Sequence, residues 1–110
     1  MDDFIARANV DHFLDLLNDG DLTPERRAMI VKLLMEEEGK LGRDQEQLEF
    51  AESRATKGRR ILSQLRDMRE SENDPLYLAR IERLLATFEM TQRLLDDSCD
   101  RLRTSLNSRL

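Results

Sequence analysis

His12 is the only histidine of the chain, with Asp11 beside it and Asp15 one helical turn further on. A histidine framed by two carboxylates could ligate a metal or act as a general base. Its place at the border of an amphipathic helical face argues instead for a partly exposed packing residue. The second group of potential ligands is the run Glu36-Glu37-Glu38. Carboxylate di-metal bundles pair Glu with Glu-x-x-His motifs on two helices, and no Glu-x-x-His occurs in this sequence. The expectation is therefore no metal and no cofactor. Cys99, the single cysteine, falls on an apolar helical stripe with no histidine placed to activate it, so it reads as a core residue and not a nucleophile. Without a Gly-rich phosphate loop, a nucleophile elbow or a second histidine, the sequence points away from an enzyme, and no catalytic residue is assigned.

Two polar residues sit in apolar company. Asn9 lies in the middle of the apolar face of the first helix, and Glu37 lies among Ile30, Leu33, Leu34 and Leu41 of the second. They form either a polar site between helices or a contact that fixes register, as polar residues do in helical seams. Asn9, His12 and Glu37 are accordingly the candidate polar contacts between helices, with an arginine expected as the partner of Glu37.

These residues must be held by helices. From 3 to 18, Ile5, Ala6, Val10, Phe13, Leu16 and Leu17 recur at 3.6 periodicity, which predicts a first helix packing by that face. Gly20 in Asn18-Asp19-Gly20-Asp21 ends it and folds the chain into a helical hairpin. Thr23 followed by Pro24 is a strong helix start. No proline interrupts the chain from there to about Ser71, although Gly39 and Gly42 weaken the middle by about 1 kcal/mol each relative to alanine. Leu34, Leu41 and Leu48 keep a seven-residue spacing across those glycines, so a continuous rod and a break are both open. Asp74-Pro75 then starts a last helix running to about Asn107. Leu48, Ala51, Ala55, Gly58, Leu62 and Leu65 form one packing stripe, and Leu78, Ile81, Leu85, Phe88, Leu95, Cys99, Leu102 and Leu106 form its partner. The predicted fold is all-α, an elongated antiparallel bundle of three long helices, or four if the chain breaks near Gly39 to Gly42. It is a single domain, 1–110, with an N-terminal hairpin at 1–41 and a long antiparallel hairpin at 42–110.

Composition agrees with this and narrows the function. In 110 residues, 37% are charged and 39% hydrophobic, with few aromatics and no Trp, as expected of a soluble helical domain. No apolar run approaches the roughly 18 residues of a membrane span, and Met1-Asp2-Asp3-Phe4 lacks the basic-then-apolar pattern of a signal peptide, so a cytoplasmic setting is expected. The net charge of -5 disfavours broad attraction to nucleic acid or anionic membrane. The charge is uneven: residues 1 to 39 hold ten acids and four bases, whereas residues 40 to 70 hold six acids and eight bases.

The segments Ala8-Asn9-Val10-Asp11-His12-Phe13, Leu16-Leu17, Arg26-Arg27, Leu33 to Leu41 and Gln47 to Arg54 resemble a helical hairpin of short alphaproteobacterial proteins that carry no assigned function. The resemblance covers somewhat over a third of the chain. It implies the hairpin, and brings no activity, substrate or binding residue with it.

Phe50, Ile61 and Met68 fall off the main stripe and align along a second one, joined by Met90, Leu94 and Leu76 of the last helix. A two-helix hairpin cannot bury both of its sides, so the cover comes either from the first hairpin or from a second protomer. The second protomer is the preferred expectation: a non-enzymatic helical interaction or adaptor protein, homo-oligomeric and dimeric by preference, with Phe50, Ile61, Met68, Met90 and Leu94 as the protein interface. The alternative is a nucleic-acid-associated regulator using the basic face from Arg54 to Arg69. That face lacks interleaved aromatics and is interrupted by Asp67, which makes nucleic acid the weaker partner.

Overall fold

The computed structural model describes residues 2–42 and 44–108. Among them there are four helices and no strand: α1 (Asp2–Leu17), α2 (Pro24–Gly39), α3 (Gln45–Ser71) and α4 (Pro75–Asn107). The helix starts are set by side-chain caps. Thr23 accepts a hydrogen bond from the backbone N–H of Arg26 with Pro24 in the first turn, Asp44 accepts from Gln47, and Asp74 accepts from Leu76 with Pro75 following. Each cap pairs one backbone donor that the helix itself leaves free.

The continuous rod across Gly39 to Gly42 is not formed. Lys40 N–H closes the last turn of α2 on Glu37 and Glu38, Leu41 N–H bonds Glu38 O at 3.1 Å, and the chain then leaves the helix before Asp44 starts α3. Leu34, Leu41 and Leu48 are nevertheless all buried, because the bend returns the N-terminal hairpin against α3 and α4.

That return has a defined direction. Arg7 reaches Glu46 at 3.4 Å and Asp11 reaches Arg54 at 2.8 Å, long side chains that link α1 to the first half of α3, while the closest backbone approach between the hairpins is that of α1 to α4. Asp21, in the turn before α2, meets Arg83 at 3.8 Å, and Glu38 near the end of α2 meets Arg101 at 3.8 Å and Ser98 at 3.5 Å, so side chains link the two ends of the α2 segment to α4. The α3–α4 hairpin is longer than the α1–α2 hairpin and projects beyond it, giving extents of 51 × 28 × 22 Å.

Two apolar cores result. The first joins all four helices through Ala6, Val10, Leu14, Leu17, Leu34, Leu41, Ala51, Ala55, Leu95 and Cys99. The second, Leu62, Leu65, Ile81 and Leu85, holds the projecting part of the α3–α4 hairpin. Val10 and Leu17 are fully buried, which stabilises the hairpin contact by about 1.5–3 kcal/mol per side chain. Cys99 lies in the first core, and burial pushes its thiol pKa up.

The apolar face expected of α1 is wider than what the core takes. Ala6, Val10, Leu14 and Leu17 are buried, but Ile5 and Leu16 stay exposed at 59% and 38%. The α1 face therefore divides between a core side and an open side.

Candidate interaction surface

The α1–α2 register is fixed by Asn9, whose Nδ2 donates to Glu37 Oε2 at 3.2 Å. Among the described residues no arginine pairs with Glu37. Lys40 Nζ, one turn on, donates to Glu37 Oε1 at 2.8 Å, and these bonds, Lys40 first, lower the pKa of the carboxyl. Arg101 reaches Glu38 instead, Arg103 reaches Glu52 and Asp100, and Arg109 lies outside the described residues. His12 is exposed, its ring 6.0 Å from that of Phe13, and it takes no part in the Asn9–Glu37 contact. Among the described residues no group of three His, Cys, Asp or Glu side chains could hold a metal ion.

The second stripe is partly covered by the chain itself. Phe50 is half-buried, with the Arg54 guanidinium 3.7 Å and the Arg7 guanidinium 4.9 Å from its ring centre. Leu94 packs on the four-helix core and Ile61 on the second core. Met68 and Met90 remain exposed, at 51% and 41%. Of the five residues assigned to one interface, three therefore have intramolecular packing partners, and the five do not share one open surface.

The basic face is also partly used within the chain. Arg54 pairs with Asp11, Arg59 with Asp96 at 2.9 Å, and Arg66 with Glu89 at 3.6 Å. Arg54 opens the basic stretch from Arg54 to Arg69 but does not lie on an open face. Its side chain is in fact only 12% exposed, wedged between hairpins where burial lowers its pKa against the opposing pull of Asp11 and Glu38. Its Nε lies near Asp11 without a directed hydrogen bond, and its Nη2 is buried unpaired. Burial raises the pKa of Glu38, countered by Arg101, Arg54 and Ser98.

Other buried polar groups went unnoticed in the sequence. Gln92, 7% exposed, donates from Nε2 to Ala55 O at 2.9 Å and to Asp96 at 3.2 Å. A Cβ at Gly58 would collide with Gln92 Oε1. The glycine thus leaves room for the Gln92 side chain in its present position, and its backbone angles make no demand for glycine. The signal was available: a polar residue at the level of a glycine on the facing stripe. Two grooves flank the hairpin junction, one of ≈ 890 Å³ near Glu38, Gln47 and Ser98 and one of ≈ 700 Å³ near Phe50, Arg54 and Gln92.

What remains open to solvent is concentrated on α1 and α2. Ile5 and Leu16 are three turns apart on one face of α1, while Met29 and Leu33, 63% and 38% exposed, are one turn apart on α2. With Asn9 opposite Glu37, the antiparallel register sets Leu16 beside Met29 and Ile30, so these apolar groups form a strip along the outer side of the hairpin. No protein-family model, curated protein or solved structure matches the chain. The fold defines an all-α bundle of two packed hairpins, none of whose described helices is long and apolar enough to cross a membrane.

Proposed function

We propose that the chain is a non-enzymatic helical interaction protein, an adaptor or regulatory subunit that self-associates through the outer side of its N-terminal hairpin. The observation that carries the reading is the exposed strip of Ile5, Leu16, Met29 and Leu33 on a hairpin whose other side is already committed to the core. A small domain that spends core-grade side chains on an open face has reason to cover them. A reducing, cytoplasmic setting goes with this reading, since buried Cys99 then stays a thiol.

The nucleic-acid reading has less behind it, because Arg54, Arg59 and Arg66 each have an acidic partner in the same chain. Sedimentation velocity on the full chain tests the proposal, with expected boundaries that move faster as concentration rises. A single concentration-independent boundary at the monomer value contradicts it. A parallel titration with single-stranded oligonucleotide at low salt, where phosphate contacts are strongest, is expected to show no binding.

A further inference from the structure

We infer that the partner is a second copy of this chain, docked antiparallel along α2 so that Arg26 of each protomer meets Glu36 of the other across a Met29–Leu33 centre. The inference rests on the self-association proposed above and names its geometry.

Arg26, Met29, Leu33, Glu36 and Lys40 follow one another at spacings of three, four, three and four, and all five are exposed. That spacing is the seam of a two-helix packing and puts all five within one face of α2. The face is self-complementary. Arg26 and Glu36 are equidistant from position 31, and so are Met29 and Leu33. A two-fold axis crossing α2 at that level therefore exchanges Arg26 with Glu36 and Met29 with Leu33, as an isologous dimer requires. A parallel arrangement would instead put arginine on arginine and glutamate on glutamate. Leu16 of α1 lies beside this centre and widens the apolar contact.

The two charges are also the reverse of what the dipole of α2 favours, although Glu36 has Lys40 one turn on as a favourable neighbour. Arg26 stands in the first turn, where the free N–H groups favour an acid, and Glu36 stands in the last turn, where the free carbonyls favour a base. Among the described residues neither forms an ion pair within the chain. Reversed charges at both ends of one helix, matched to each other about its midpoint, are explained by an antiparallel copy.

The test is a charge exchange read by light scattering across a concentration series at low salt. Arg26→Glu alone and Glu36→Arg alone should each raise the dimer dissociation constant about tenfold or more, by like-charge juxtaposition. The double variant R26E/E36R should return it to the wild-type value. Arg26→Glu suits the helix dipole and should fold with unaltered helicity and equal or higher Tm. Glu36→Arg gains at the dipole but stands four residues from both Lys32 and Lys40, so its helicity should be unaltered and its Tm little changed, which separates docking from folding. Met29→Lys with Leu33→Lys should give a folded monomer at every concentration. A dimeric wild type whose single charge variants dimerise equally well, or whose double variant is not rescued, overturns the α2 seam and leaves self-association standing. A wild type that stays monomeric overturns both.

Discussion

Arg54 of α3 lies 2.8 Å from Asp11 of α1, and this pair ties the N-terminal hairpin to the long one across the rim of the core. The two ends of the contact are unequal: the Arg54 side chain is 12% exposed and the Asp11 side chain 55%. Phe50 covers one face of the same guanidinium, so the cation has little water left to solvate it. Such a group is tolerated because its surroundings compensate, and it becomes a burden when they are removed.

Removing the acid should therefore harm more than removing the base. Asp11→Ala leaves a buried cation with only the weaker pull of Glu38 and is expected to cost about 1–2 kcal/mol, below the fully buried range because Asp11 is half in water. Arg54→Met replaces the charge by an apolar side chain of similar reach and should cost less than 1 kcal/mol. Urea denaturation of the two variants checks the order; equal losses would mean that the pair behaves as an ordinary surface ion pair.

Gly58 and Gln92 should be coupled. Gly58→Ala gains helix propensity of about 1 kcal/mol but pushes Gln92 off Ala55 O, which costs about as much or more for a buried hydrogen bond. Its net effect is expected to be a loss. In a Gln92→Ala background the obstruction is gone, and the same glycine substitution should stabilise by about 1 kcal/mol. A double-mutant cycle by denaturant unfolding reads the sign change. Additive effects would contradict the contact between position 58 and the Gln92 side chain.

Neighbouring glutamates should respond to pH in opposite directions. Burial raises the pKa of Glu38 in the folded chain, so the folded state holds its proton more tightly and stability falls as pH rises from the ordinary carboxylate value upward through the raised one. Lys40 and Asn9 lower that of Glu37, so its contribution is present above the ordinary value and is lost as pH falls through the lowered one. Relative to wild type, Glu38→Gln should gain Tm between acid and neutral pH, whereas Glu37→Gln should lose Tm over the same rise. Thermal melts from pH 3 to 7 give both differences, and parallel trends would contradict the assigned environments.

The helices were legible in the sequence because their starts are chemically marked: Thr23-Pro24 and Asp74-Pro75 open α2 and α4 as read. The break before α3 was left open because the seven-residue leucine spacing fits both a rod and a fold-back. Asp44 followed three positions later by Gln47 is a helix-start pattern that could have decided it, and its cap is formed. Asn9 and Glu37 stood out as polar residues in apolar stripes, with an arginine expected for Glu37. That Asn9 itself and Lys40 are its partners was not legible, because Lys40 comes from the end of the same helix, where facing-stripe reasoning does not look. The burial of Arg54 was not legible, because charge alone suggests solvent and its position depends on how the hairpins dock, which no single-helix periodicity contains. The same docking moved Phe50 and Leu94 into intramolecular packing and left Met29 and Leu33 open, while Ile61 packs within the α3–α4 hairpin itself.

The central claim is that this chain associates with itself, and its molar mass in solution tests that most directly. Light scattering on a size-exclusion column, over a concentration series, should show a mass that rises toward twice the 12.9 kDa of one chain as concentration increases. A mass that stays at 12.9 kDa throughout would contradict the account.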